Sequence, residues 1–211
     1  MLKFLSITGA IGSGKTSTIE ELKLRYARRN DLPFDIIFHE EPLDQWISGE
    51  VNWLDLYYSD QQRWAFTFQT KVIEGQIAMR KKYKKQMRNN GKPLLVVTER
   101  STFDNVEIFG ELLLKKGFMI KPEYELLKQH ANNCSYYPDY QIWIATTPTE
   151  CLRRIKNRGR PEEMKVPDSY YIEIAEQYAQ KLSLKLEVFD IEECGIEEST
   201  DRIERIINSL L

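Results

Sequence analysis

Gly9-Ala-Ile-Gly12-Ser13-Gly14-Lys15-Thr16-Ser17 follows directly on the run Leu2-Lys3-Phe4-Leu5-Ser6-Ile7. It fits G-x-x-x-x-G-K-[ST] between a predicted strand and a predicted helix, the context in which that motif binds phosphate. Glycines let successive backbone N–H groups turn inward, and the helix that follows adds its positive end, so phosphate oxygens meet donors without side chains. Lys15 then reaches the β- and γ-phosphates, and Thr16 offers its hydroxyl to Mg²⁺. A nucleoside triphosphate is the anion expected here; the alternative is a Gly-rich turn with a solvated lysine. Neither N-K-x-D nor D-x-x-G, which GTPases usually carry, occurs in the chain.

Three further clusters carry charge to strand or helix ends. The second predicted strand, Phe34–Glu40, runs into Glu40-Glu41-Pro42-Leu43-Asp44-Gln45-Trp46. Proline restricts the residue before it to extended geometry, so the Glu41 carboxylate can be aimed, with Glu40 as its rival. A positioned carboxylate suffices as the base in a loose phosphoryl transfer. An ordinary acidic pair before a turn is the alternative. The third strand, Pro93–Thr98, ends in Glu99-Arg100-Ser101. There Glu99 is placed to hold Mg²⁺ or its waters and Arg100 to bind a carboxylate or phosphate, unless the two form a purely structural pair. Arg154, Lys156, Arg158 and Arg160 then recur on a helix rising from Thr149-Glu150, as i,i+4 neighbours that present cations on two sides. That is a mobile clamp for a transferring phosphoryl group. Lys81, Lys82, Lys84, Lys85 and Arg88 resemble it only in charge and read as a solvated face.

A long helix is expected from Asp60 to about Asn89, with Gln69, Val72 and Gln76 on one face. The Gln69 amide could pair with a nucleobase edge while nearby aromatics stack on its ring, although such a stripe also suits plain packing.

The elements that must position these groups alternate. Five runs of β-formers, Leu2–Thr8, Phe34–Glu40, Pro93–Thr98, Tyr140–Ala145 and Leu184–Asp190, stand between helical stretches. Repeated β-α order implies an α/β fold with a parallel sheet covered by helices on both sides and ligands at the strand carboxyl ends. Residues 110–139 read as helical connection with turn signals at Lys121-Pro122 and Tyr137-Pro138. The 211 residues suit one domain, 1–211, with acids and bases nearly balanced at a formal charge of −2, which argues against nonspecific nucleic-acid binding. No run approaches a spanning helix and no signal-peptide pattern opens the chain, so a soluble, cytoplasmic protein is expected. Cys134, Cys151 and Cys194 form neither a disulfide framework nor a zinc pattern, and His39 and His130 stand alone.

Taken in order, G-x-x-G-x-G-K-T, E-P-x-x-x-W, W-x-F-T-F-Q, E-R-S and R-x-x-x-R-x-R-x-E-E resemble the deoxyribonucleoside kinase family over most of the chain. The resemblance implies a three-layer P-loop kinase fold with a five-stranded sheet and an arginine-rich lid at about 153–165, acting on ATP and Mg²⁺. It implies that Glu41 activates the nucleoside 5′-hydroxyl with Arg100 beside it, that Glu99 belongs to the Mg²⁺ site, and that Tyr58 and Glu163 hold the sugar 3′-hydroxyl. Gln69 resembles the base-pairing residue, Trp46, Phe68 and Phe109 the aromatic walls, and Arg154, Arg158 and Arg160 the lid arginines. The family's adenine loop would fall near Asp190–Cys194, and a homodimer is implied by the family alone.

Three positions depart from the family pattern. Asn105 stands where many purine-accepting members have aspartate and pyrimidine-preferring ones a small residue. Gln76 stands where arginine or methionine is usual, and Ala10 where many have asparagine. Without the aspartate–arginine pair the expectation leans to pyrimidines, thymidine or deoxycytidine, with broad acceptance. The rivals are a nucleoside monophosphate kinase of the thymidylate type, which needs cations rather than Glu41 and Trp46 at the acceptor site, and a regulatory P-loop ATPase.

Overall fold

The computed structural model describes residues 1–29, 31–48, 50–134, 137–182, 188–192 and 195–210. Its centre is a parallel sheet. β1 (Leu2–Thr8) and β3 (Leu94–Glu99) pair from Leu2↔Leu94 to Ile7↔Glu99 and are buried almost throughout, as strands covered on both faces must be. β2 (Asp35–His39) flanks β3, β4 (Tyr140–Ala145) flanks β1, and β5 (Val188–Glu192) pairs along β4, giving the order β2-β3-β1-β4-β5. The strand expected over Leu184–Asp190 falls partly on residues 183–187, outside those described, as do residues 193 and 194 of the expected adenine loop and the side chains of Cys134 and Cys194.

Alternation along β1 sorts its side chains to two layers. Leu5 and Ile7 pack with Leu95 and Val97 against α1 (Lys15–Tyr26) and α9 (Ile196–Ser209), through Ile19, Leu22, Ile203 and Ile207. Phe4, Leu94 and Val96 meet Met79 and Tyr83 of α4 on the opposite face. α4 (Gln61–Asn90) is capped by Asp60, whose carboxylate accepts the Arg63 N–H at 3.0 Å, and it stops at Gly91 in left-handed conformation. The expected basic face of α4 is indeed exposed at Lys81, Lys82, Lys84, Lys85 and Arg88. Before α4 come α2 (Leu43–Ile47) and α3 (Trp53–Ser59), which with α8 (Asp168–Leu182) enclose the larger apolar cluster.

Three local expectations are corrected. Lys121-Pro122 opens α6 (Lys121–Cys134) rather than a turn, because proline in a first helical turn removes only an N–H that has no partner there, and Glu123 accepts the Ile120 N–H at 3.0 Å. Second, α5 (Glu111–Lys115) is preceded by a π-helical segment, Asp104–Gly110, which no periodicity announced. Third, α7 (Pro148–Arg158), N-capped by Thr147, ends at Gly159 in left-handed conformation, so Arg160 lies beyond the helix and Lys156/Arg160 are not helical neighbours. Lys156 instead pairs with Asp168 at 2.5 Å. No helix among the described residues is long and apolar enough to cross a membrane.

The loop after β1 is where backbone freedom decides the fold. Gly12 has φ +82°, and a Cβ there would lie 2.4 Å from the Cys151 carbonyl oxygen of α7. Gly12→Ala should therefore cost about 2 kcal/mol or more and lower Tm by several degrees, with weaker triphosphate binding. Gly75→Ala, in α4 with nothing within 4 Å of the added carbon, should leave Tm equal or slightly higher in the same calorimetric scan.

Candidate active site

β1 and β3 are neighbours, so the phosphate loop and Glu99 emerge side by side at the carboxyl edge, where α/β sheets bind ligands. Gly14, left-handed at φ 98°, caps α1 and turns the loop into it. Lys15 is 4% exposed, and its ammonium donates to Ala10 O at 2.7 Å with Ser13 Oγ at 3.5 Å. Burial, then the charge of Arg100, pushes the Lys15 pKa down to about 8. The Thr16 hydroxyl donates toward both Glu99 carboxylate oxygens, at 3.0 and 3.1 Å. Burial and then the charge of Glu41 raise the Glu99 pKa, while Lys15 opposes them. A hydroxyl and a carboxylate that needs more positive charge form a hard-oxygen set of the kind Mg²⁺ takes. Arg154 closes this end from α7, donating to Ser13 O at 3.2 Å and to Glu150 at 2.8 Å. Gly9 supports the loop from behind, where a Cβ would lie 2.7 Å from Ser13 Oγ and 2.9 Å from the Ile144 carbonyl oxygen of β4.

One cavity of about 380 Å³ runs from Gly12, Gly14, Lys15, Thr16 and Ser17 to Trp46, Phe68, Gln69, Val72 and Phe109. Between these ends stand Glu41, Glu99 and Arg100. Arg100 Nη1 donates to both Glu41 oxygens, at 2.8 and 2.7 Å, with the two side chains 10% and 14% exposed. Arg100 holds φ +59°, a left-handed backbone uncommon outside glycine, anchored by its N–H on Ile7 O at 3.0 Å. Its Nε donates to the Tyr178 hydroxyl at 3.2 Å, and its guanidinium lies 5.1 Å from the Phe109 ring centroid.

Behind Arg100 sits a buried carboxylate that the sequence reading missed. Asp104 accepts from Tyr178 at 2.6 Å, from the Ser101 N–H at 2.8 Å and hydroxyl at 3.0 Å, and from Thr8. The spacing Ser101-x-x-Asp104 is the signal of a capped helix start that could have found it. Tyr178, on α8, had no such signal.

The apolar end is walled by Trp46 against Phe68, edge to face at 5.4 Å, and Phe68 stacked on Tyr57 at 4.8 Å. Leu54, Tyr57 and Tyr170 also line it and were not anticipated. Tyr58 and Glu163 reach the same cavity; Glu163 is buried and accepts from Arg158 at 2.6 and 3.3 Å and from Arg160 at 3.3 Å. Asn105 lines the cavity and donates to Gln69 Oε1 at 2.9 Å. Gln76, expected at the substrate, instead stands behind Asn105 and lines a second cavity of about 260 Å³.

A sheet with its phosphate loop at the strand-order reversal and a pocket of aromatics and amides beyond it defines a P-loop nucleotide-binding protein with a second, nucleoside-sized subsite. A model of the deoxynucleoside kinase family matches residues 5–210, and the chain belongs to that family. It is 29% identical over 183 residues to a protein named as a kinase in Invertebrate iridescent virus 3, covering 87% of this chain and 84% of that one. Human deoxycytidine kinase is 29% identical over 187 residues, 80% of this chain and 71% of its own. A solved deoxyadenosine kinase from M. mycoides, described with product dCMP and a flexible dCDP bound, shares the fold with a TM-score of 0.74 at 20% identity, over 98% of this chain and 99% of that one.

The depressed Lys15 pKa has a measurable sign. Above about pH 8 the lysine of the unliganded protein loses its proton, whereas bound phosphates favour the charged form, so triphosphate binding at pH 9 should take up a proton. Calorimetry in buffers of different ionisation enthalpy should show that uptake at pH 9, little at pH 7, and none at pH 9 in Lys15→Met.

Proposed function

We propose that this protein is an ATP-dependent deoxynucleoside 5′-kinase of nucleotide salvage, built as one domain over 1–211 with residues 153–165 as its lid. The observation that carries this reading is the single cavity joining the phosphate loop to the aromatic and amide walls, with Glu41 between them. Glu41, aimed by its two hydrogen bonds from Arg100, accepts the proton of the 5′-hydroxyl as that oxygen attacks the γ-phosphorus. Lys15, Arg154, Arg158 and Arg160 stabilise the charge on the transferring group. Thr16 and Glu99 would hold Mg²⁺, which would supply positive charge to neutralise the phosphates. Tyr58 and Glu163 orient the sugar, Gln69 pairs with the base, and Trp46, Phe68, Val72 and Phe109 enclose it.

The acceptor end also speaks against a monophosphate kinase. Arg100 is already paired with Glu41, so a carboxylate stands in front of the cation that an acceptor phosphate would need there. The proposed acceptors are deoxynucleosides, pyrimidines favoured, with broad use allowed. A cytoplasmic homodimer is the setting that the family resemblance implies.

Two measurements test this. ADP release from Mg·ATP should require one of thymidine, deoxycytidine, deoxyadenosine or deoxyguanosine; release with thymidine monophosphate alone, or with no acceptor, would sink the proposal. Glu41→Gln should lower kcat by about 10²–10⁴-fold while nucleoside Kd changes far less. Unchanged kcat in a variant whose melting curve stays cooperative would remove Glu41 from the chemistry.

A further inference from the structure

Three primary amides run in line from Gln69 and Asn105, which line the cavity, to Gln76 behind it. Gln76 Nε2 donates to Asn105 Oδ1 at 3.0 Å, and Asn105 Nδ2 donates to Gln69 Oε1 at 2.9 Å. A primary amide donates from one end and accepts at the other, with the two ends nearly equal in shape. Turning all three end for end keeps both hydrogen bonds. Turning one alone sets NH₂ against NH₂ or oxygen against oxygen. The chain therefore has two self-consistent polarities.

Nothing at its far end selects between them. Gln76 Oε1 is buried and finds no partner among the described residues, so no fixed donor pins the line in its present sense. Its near end is Gln69, 2% exposed and lining the cavity. Reversing the line exchanges donor for acceptor at each position of the Gln69 amide that a base edge can meet.

We propose that Gln76, Asn105 and Gln69 form a polarity-reversible reader, through which one site takes both keto bases and amino bases. Thymine and guanine present a C=O beside a ring N–H; cytosine and adenine present NH₂ beside a bare ring nitrogen. These edges are exact inverses, and each pairs with one sense of the Gln69 amide while the other sense opposes it. The inference rests on the nucleoside-kinase reading and deepens it: the substrate class spans both kinds of base because no partner among the described residues pins the line at its Gln76 end. Gln76 is a positioning residue, since it lines the second cavity and acts on the base only through Asn105 and Gln69.

The test uses Gln76 because it does not line the cavity that holds the base. Gln76→Lys can only donate, which keeps the Asn105 oxygen toward position 76 and holds the present polarity. Gln76→Glu accepts through its carboxylate, which turns Asn105 and then Gln69 over. The ratio of kcat/KM for thymidine to that for deoxycytidine should shift in opposite directions in the two variants, by about tenfold or more each, because a hydrogen-bonding site strongly rejects the inverse pattern. Shifts in the same direction, or ratios within twofold of the wild type in both, would overturn the proposal. The wild-type protein supplies a check that needs no variant: it should use the two nucleosides with kcat/KM values within about tenfold, and exclusive use of one would overturn the reader. Turnover of nucleosides without opposed shifts defeats this inference alone, whereas no turnover of any nucleoside defeats the kinase reading and this inference with it.

Discussion

The middle of the cavity depends on one buried ion pair, Glu41 with Arg100. Taking two charges out of water costs several kcal/mol, and the loss is recovered only where geometry is good and the remaining donors find partners. Here Arg100 meets both Glu41 oxygens, the Tyr178 hydroxyl and the Phe109 ring, and Tyr178 is itself held by Asp104. Asp104 in turn gathers Ser101 and Thr8. Through these contacts β1, β3, the π-helical segment and α8 converge on one carboxylate. An apolar core would hold the same elements at lower electrostatic cost, so the arrangement makes sense as a means of keeping the Glu41 carboxylate aimed into the cavity.

The same device recurs across the cavity. Glu163 is buried between Arg158 and Arg160, just past the end of α7. The neighbouring Glu162 accepts from Asn52 at 2.9 Å, and Lys165 pairs with Asp55 of α3. Segment 158–165 is thus tied to the helix that contributes Tyr57 and Tyr58 to the wall. The phosphate-loop end of the cavity presents Lys15 and Arg154, while toward the aromatic wall carboxylates stand in front of the arginines. One cavity so acquires two ends of different electrostatic character.

Local chemistry explains which features were legible beforehand. The phosphate loop is a property of glycines in series followed by a helix, and its residues sit together because they are adjacent in the chain. Glu41 before Pro42 and Glu99-Arg100 at a strand end were readable for the same reason, since strand ends in parallel sheets face the ligand crevice. The misreadings were also local. Helical spacing alone carries past Gly159, where a left-handed cap ends α7, and Lys121-Pro122 carries a turn signal where it opens a helix.

What the amino-acid sequence determined by itself was the order of strands and helices, the phosphate-binding loop, and the carboxylates and arginines delivered to the sheet edge. Each of these depends on backbone preferences over a few residues. What only the tertiary structure decided were the pairings between distant segments: Asp104 with Tyr178, 74 residues apart, and Gln76 behind Asn105, 29 residues apart. Those depend on how α4, the π-helical segment and α8 pack against one another. No local spacing encodes that packing, because it is set by the shape of the apolar faces that bring the three helices together.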